Sequence, residues 1–254
     1  MIVIEKVNKS FDDQQVLFDI SGEFKNGECN MIIGASGSGK TVLMKSIIGL
    51  HRIDSGRIEY DQRNLPDMRM RDIRKLRKEV GMLFQGSALF DSLSVMQNVM
   101  FPLEMFSGDT KIEMEKRARF CLERVDLNER SFNLLPSEIS GGMQKRVAIA
   151  RAIALNPSYL FCDEPNSGLD PQTSLVIDRL IQEITREYNM TTIINSHDMN
   201  SVMEIGEHII FINKGHKEWE GSNKMIFNAD NEALNEFVFA SELYKQVKKA
   251  HKAE

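Results

Sequence analysis

The spacing of hydrophobic positions changes along this chain, and the changes divide it into regions. Residues 1–25 read as extended: Ile2, Ile4 and Val7 fall at strand-like spacing, and Val16-Leu17-Phe18 starts a second strand. Asn26-Gly27 is a turn signal. The largely apolar run of residues 29–33 predicts a buried strand that runs straight into a glycine-rich loop. Residues 40–48 then read as a helix, with Gly49 as its C-cap. Asp54-Ser55-Gly56 marks a turn before a short strand at 57–60. Residues 67–79 are dense in charge but carry Met70, Ile73 and Leu76 at helical spacing, and residues 80–84 form an apolar strand ending at Gln85. From residue 87 to 154 the helical period dominates, punctuated by Pro102 and Pro136. Strand and helix patterns then alternate again: strand 160–162, helix 174–187, strand 191–195, a short helix, and strand 208–213. Such alternation predicts a largely parallel sheet. Residues 230–254 read as a separate amphipathic helix with a basic end.

Composition narrows the class. A chain of 254 residues can bury one sizeable core plus a lobe. Its net charge of −5 gives no overall field to recruit nucleic acid or anionic lipid. No apolar run approaches the length needed to span a bilayer, and the start, Met1-Ile2-Val3-Ile4-Glu5-Lys6, is strand-like with no basic leader pattern. Cys29, Cys121 and Cys162 have neither metal-ligand nor disulfide-framework spacing, which suits a reducing cytoplasm.

The chemistry concentrates in a few runs. Gly34-Ala35-Ser36-Gly37-Ser38-Gly39-Lys40-Thr41 fits the phosphate-loop pattern, after a strand and before a helix. Its glycines let backbone N–H groups approach a β-phosphate, and the helix dipole adds to them. Lys40 is expected to reach the β- and γ-phosphates and Thr41 to ligand Mg²⁺. Asp163 and Glu164 end an apolar strand beside that loop. Asp163 is expected to hold Mg²⁺ through water, and Glu164 to polarise the attacking water. His197 follows another strand end and can help place that water. Gln85, at a third strand end, could touch the metal and the water. Ser140 is a good N-cap, and Gly141-Gly142 behind it expose N–H groups at a positive helix end. This second anion site makes sense if it closes over the γ-phosphate held by another subunit; the alternative is a plain helix start. Phe11, between the two N-terminal strands, could stack on adenine with Val16 nearby, or serve as an ordinary core side chain.

Taken together, these runs resemble the ATP-binding subunits of ABC transporters over residues 1–225. The resemblance implies an α/β fold of the P-loop NTPase, ABC-ATPase type. A RecA-like core with an N-terminal antiparallel β subdomain would occupy 1–86 and 155–225, an inserted helical lobe 87–154, and a C-terminal helical extension 226–254. It implies ATP contacts from Phe11, Val16, Gly34, Ser36, Gly37, Ser38, Gly39, Lys40, Thr41 and Val42, and Mg²⁺ ligation by Thr41, Gln85 and Asp163. Glu164, His197 and Gln85 would be the catalytic set. Ser140, Gly141, Gly142 and Met143 resemble the signature motif that touches ATP across a homodimer, and Ser167, Gly168, Leu169 and Asp170 the D-loop. Asn166 stands where Thr is frequent in the family, and Ile139 where Leu is.

Within the family, the chain looks similar to the ATPases of Mla-type (MCE-associated) phospholipid transporters. Val42-Leu43 after the phosphate loop, Gly86-Ser87-Ala88-Leu89-Phe90-Asp91-Ser92-Leu93-Ser94-Val95, Asn98-Val99, Phe101-Pro102-Leu103 and Met143 carry that likeness. It implies MlaE-like permease subunits, an MCE-domain (MlaD-like) protein and a STAS-type (MlaB-like) regulator as partners, no nucleic acid, and a place on the cytoplasmic face of the inner membrane. An ATPase for an amino-acid or other solute importer would share every catalytic residue. A soluble or cell-division ABC ATPase that moves no cargo is the alternative of another class. The apolar set Phe84, Leu89, Phe90, Leu93, Val95 and Phe101 is expected either to receive a permease helix or to fill the lobe's own core. Leu234, Phe237, Val238 and Ser241, with Phe239, Leu243 and Val247 on a neighbouring face, outline a helix at 233–247. Lys245, Lys248, Lys249 and Lys252 give its end positive charge: the helix packs on its own domain, crosses to the other copy or a regulator, or sets its lysines on a membrane surface.

Overall fold

Two sheets organise the molecule, and the hydrophobic pattern accounts for both. The computed structural model describes residues 1–240, 244–246 and 248. The chain opens with strands β1 (Ile2–Phe11), β2 (Gln14–Phe24) and β3 (Cys29–Ile33), then helix α1 (Lys40–Ile47). It continues through β4 (Ser55–Tyr60), β5 (Arg63–Asn64), α2 (Met70–Lys78) and β6 (Val80–Leu83). The lobe helices α3 (Val95–Phe106), α4 (Lys111–Arg124) and α5 (Gly141–Ile153) follow. The last part runs β7 (Tyr159–Asp163), α6 (Pro171–Glu187), β8 (Thr191–Ser196), α7 (Met199–Ile205), β9 (His208–Asn213), β10 (His216–Gly221), α8 (Asn223–Ile226) and α9 (Glu232–Val238).

The first sheet is antiparallel, in the order β2-β1-β4-β5. Asp12 and Asp13 close its first hairpin with φ of 45° and 64°, as a two-residue turn of the strand-matching hand requires. Ile2, Ile4, Val7, Leu17, Ile20 and Phe24 are fully or almost fully buried and pack on a cluster shared with α1. The second sheet runs β10-β9-β3-β8-β7-β6. Its five strands from β9 to β6 are parallel, and β10 pairs antiparallel with β9 at one edge. β3 and β8 are buried at every position, polar residues included, as a parallel strand covered on both faces must be.

The lobe differs in detail from the expected layout. Ser94 caps α3 in a reciprocal capping box with Gln97, and α3 then continues through Pro102 instead of breaking there. One ladder bond is lost at the proline, and burial of Val99 and Leu103 on either side holds the helix together. Asn98, also buried, accepts from the Phe90 N–H and donates to carbonyls in the preceding turn, which ties down residues 90–94. Val95 goes into the core, whereas Phe84 and Phe90 stay exposed.

The tail also departs from expectation. α9 stops at Val238, so no single helix spans 233–247. Ile226, Leu234, Val238 and Phe239 are buried in the same cluster as Met31, Leu160 and Val147, and Phe237 stacks on Phe211. Burial of three apolar side chains around Val238 thus anchors this stretch on its own domain, the first of the readings given for the tail. Ser241, Leu243, Val247, Lys249 and Lys252 lie outside the described residues.

Candidate active site

Four parallel strands deliver the candidate residues to one edge. The pairings Ile33 with Ser196, Asp163 with Asn195 and Leu83 with Cys162 keep the ends of β3, β8, β7 and β6 level. The next residues of each strand, Gly34, His197, Glu164 and the Phe84-Gln85 pair, therefore all emerge at the carboxyl edge of the sheet, where ligands of such folds bind.

The glycine loop is shaped by necessity. Gly34 has φ 151°, and a β-carbon there would lie 2.1 Å from the Ile212 carbonyl oxygen. Gly39, at φ 108°, caps α1 in the left-handed region. Lys40 Nζ curls back to donate to the carbonyls of Gly34 at 2.8 Å and Ala35 at 3.0 Å. Burial pulls the Lys40 ammonium below its ordinary range, while Glu164 and Asp163 push it back up. Ser38 is 6% exposed, and its Oγ is a buried hydroxyl without a hydrogen-bond partner. An orphaned hydroxyl in a glycine loop at a helix N-terminus, with a buried cation in the same loop, fits a phosphate group. Ser36, Gly37 and Thr41 are exposed, and Val42 is half-buried.

Asp163 accepts from Asn195 Nδ2 at 3.2 Å. Glu164 sits at φ 50°, and its N–H donates to the Asn195 carbonyl at 3.0 Å. That backbone conformation is costly for a residue with a side chain, and here it aims the carboxylate at the edge. Glu164 Oε1 meets His197 Nδ1 at 2.8 Å, and the His197 ring is 65% exposed. The two line a cleft of about 420 Å³ with Ser167 and Gly168. Among the described residues no group of three or more His, Cys, Asp or Glu side chains could hold a metal ion. A donor set of one carboxylate, Asp163, with the Thr41 hydroxyl and the Gln85 amide fits Mg²⁺ brought in by phosphates, because Mg²⁺ usually keeps few protein ligands.

Gln85 is exposed, and its Nε2 lies 3.4 Å from Ser167 Oγ. Ser140 caps α5, accepting from the Met143 N–H at 3.3 Å. Ser140, Gly141, Gly142 and Met143 line a cleft of about 570 Å³ together with Gly168, Leu169 and Asp170, so the signature-like and D-loop segments share a surface. Asp170 caps α6 by accepting from the N–H groups of Gln172 and Thr173. Phe11 is the last residue of β1 rather than part of a connection between strands. At 38% exposure it is no core side chain: it meets His51 edge-on, with Lys9 Nζ 4.9 Å from its ring centre. Val16 is half-buried.

Four participants escape the sequence reading. Asn195 interrupts an apolar strand and bonds both Asp163 and Glu164. Lys145 and Arg151 are cations on α5, and both reach back to the segment after β6. Asp178, 1% exposed, accepts from Asn166 Nδ2 at 2.7 Å, and Asn166 also donates to Ser201. Burial pushes the Asp178 carboxyl up to about 6, against hydrogen bonds from Ser201 and Asn166 and aided by Asp198 and Glu204. A carboxyl raised from its ordinary 3.8 contributes most when protonated, and that contribution is lost as the pH rises through about 6. We expect Asp178→Asn, which keeps the shape and cannot ionise, to gain up to about 3 kcal/mol on the wild type between pH 4 and pH 8. Thermal unfolding of both proteins at the two pH values checks this; an equal difference at both would refute it.

A strand, a glycine loop and a helix with a buried lysine, next to a strand-end Asp-Glu pair, define a P-loop nucleotide-binding protein. The ABC transporter family model matches residues 17–167. The methionine import ATP-binding protein MetN of Clostridium tetani (strain Massachusetts / E88) is 37% identical over 96% of this chain and 76% of its own length. The glutamine transport ATP-binding protein GlnQ of Escherichia coli (strain K12) is 39% identical over 94% of this chain and 98% of its own. Among solved structures, the dimeric post-hydrolysis ATP-binding cassette MJ0796 with ADP and Pi superimposes at a TM-score of 0.78, with 32% identity over 88% of this chain and 99% of that one. CbiO1 from Clostridium perfringens, part of the ABC transporter complex cbiONQ, reaches 0.84 with 29% identity, covering 99% of this chain and 98% of that one. The chain belongs to the ABC transporter family as an ATP-binding subunit, an ATPase that uses ATP with Mg²⁺. These curated relatives are named for amino-acid transport, and the Mla-type lipid branch expected from the sequence is not among them. No helix among the described residues is long and apolar enough to cross a membrane.

Proposed function

We propose that two copies of this chain close head to tail on two MgATP and so drive a pair of membrane permease subunits from the cytoplasmic face of the membrane. The observation that carries this is the convergence of Lys40, Asp163, Glu164 and His197 at one sheet edge, with the Ser140-Gly141-Gly142 helix end on a different, open cleft. A phosphate held by the glycine loop leaves that helix end free for the nucleotide of the other copy.

In the mechanism, the loop from Gly34 to Thr41 binds the phosphates and Lys40 transfers its hydrogen bonds from the loop carbonyls to phosphate oxygens. Glu164 orients and deprotonates the attacking water, and His197, bonded to Glu164, fixes its position at the γ-phosphate. Mg²⁺, held by Thr41, Asp163 and Gln85, would neutralise developing phosphate charge. Phe11 supplies an exposed ring for adenine, and Val16 packs beside it. Met143 lies at the signature helix end and Ser167–Asp170 at the mating surface.

The permease docks in a groove of about 450 Å³ between the sheet edge and the lobe, walled by Phe84, Ala88, Phe90, Phe101, Pro102 and Phe106. Exposed aromatic rings there suit the apolar face of a short permease helix. For cargo, relatives sharing 37% and 39% identity along nearly the whole chain support import of an amino acid or similar solute. A second reading, phospholipid movement between the two membranes with MCE-domain and STAS-type partners, is favoured by Val42, Met143 and the run from Gly86 to Val95. Copurification of the tagged chain from detergent-solubilised native membranes separates them. We expect an amino-acid permease; an MlaE-like permease with an MCE-domain protein would reverse the order. No membrane partner at all would reject both.

A further inference from the structure

The loop that carries Gln85 is laid along the signature helix and fastened to it by two cations. Lys145, on the second turn of α5, is 4% exposed, and its Nζ donates to the Gln85 carbonyl. Arg151, further along the same helix by about 9 Å of axial rise, forks onto the next carbonyls. It donates to Ser87 at 2.7 Å and to Ala88 at 2.8 Å. Ser87 and Ala88 both hold left-handed backbone, at φ 62° and 47°, a costly pair for residues with side chains. A planar guanidinium reaching two successive carbonyls holds such a turn in one arrangement. Gly86, between the fastened residues, has nothing within 4 Å of where its β-carbon would be, so the loop is not held there by packing. Arg151 also walls the aromatic groove and lies 5.9 Å from the centre of the Phe90 ring.

We propose that Lys145 and Arg151 are positioning residues that make Gln85, the signature helix and the aromatic groove move as one unit. This rests on the ATPase reading above, in which Gln85 serves the water and the metal. Burying an ammonium against one carbonyl is a poor way to gain stability, and an apolar side chain of similar length in its place is often neutral. Lys145 therefore earns its position through what it fixes, the backbone of Gln85. When the lobe turns, the clamp carries the Gln85 amide with it, and pressure on Phe90 and Arg151 reaches the same carbonyls.

The test is Lys145→Met, which keeps the stem and removes the donor, beside Gln85→Ala and the double variant. We expect kcat for ATP hydrolysis to fall about tenfold in Lys145→Met with KM for ATP nearly unchanged, because the phosphate loop is untouched. The double variant should be no slower than Gln85→Ala alone, since a residue that acts through Gln85 adds nothing once its amide is gone. Lys145→Arg, which keeps a donor, should recover most of the rate. In the nucleotide-free protein, amide exchange at residues 85–88 should quicken in Lys145→Met. Additive losses, or unchanged exchange at 85–88, would overturn the clamp. A wild-type protein that binds MgATP without hydrolysing it would overturn the ATPase reading instead, and the exchange measurement would still decide the clamp.

Discussion

Glu164→Gln is expected to stop ATP turnover while leaving ATP bound. The side chain is 17% exposed, sits on strained backbone at φ 50°, and touches His197 Nδ1 at 2.8 Å. Glutamine has the same volume and keeps an oxygen for the histidine, so the site keeps its shape. What it loses is the ability to take a proton from water, and a positioned general base contributes roughly 100- to 10,000-fold. Binding should survive for an electrostatic reason. Glu164 is a negative charge beside the place where the γ-phosphate arrives, and it stabilises the Lys40 ammonium rather than the nucleotide. Removing it relieves like-charge repulsion, so ATP should hold the two copies together. Phosphate release should drop at least about 100-fold, and light scattering with MgATP should show a persistent dimer. Normal phosphate release would move the base role elsewhere.

The sequence exposed this site because strand ends are easy to find. Residues 29–33, 160–162 and 191–195 read as strands with apolar centres, and the residues just after each must emerge at an edge. Once the strands are parallel, those edges coincide, and Gly34, Glu164 and His197 meet without further information. β10 was not legible. Its residues His216-Lys217-Glu218-Trp219-Glu220-Gly221 alternate between exposed and half-buried, as an edge strand does, and only Trp219 is large and apolar. Pro102 reads as a break in isolation, but the buried neighbours Val99 and Leu103 decide otherwise. The clamp and Asp178 were hidden for a related reason. Lys145 finds its partner 60 positions away, and that partner is a backbone carbonyl, which leaves no mark on residue identity. Asp178 reads as one more charge on a helix face, and only packing against Asn166 and Ser201 removes it from water.

Lys40→Ala is expected to act one step earlier, on binding itself. Nζ donates to the carbonyls of Gly34 and Ala35, inside a loop where Ser38 Oγ has no partner. A phosphate can accept from both the Lys40 ammonium and the Ser38 hydroxyl, so the ammonium exchanges neutral acceptors for charged ones. Hydrogen bonds to charged groups are worth about 1.5–3 kcal/mol each, so two lost contacts weaken ATP by roughly 100-fold or more. Alanine also removes the support of two loop carbonyls, which lowers the fraction of loops shaped for phosphate. The measurement is the rise in melting temperature on adding MgATP. At about 100 times the dissociation constant a ligand adds about 2.7 kcal/mol of stability; at that same ATP concentration the variant should show well under half of the wild-type rise. Its melting temperature without nucleotide serves as the control for folding. An equal rise in both proteins would mean that Lys40 does not hold the phosphates, and the anion site assigned to the glycine loop would have to rest on backbone N–H groups alone.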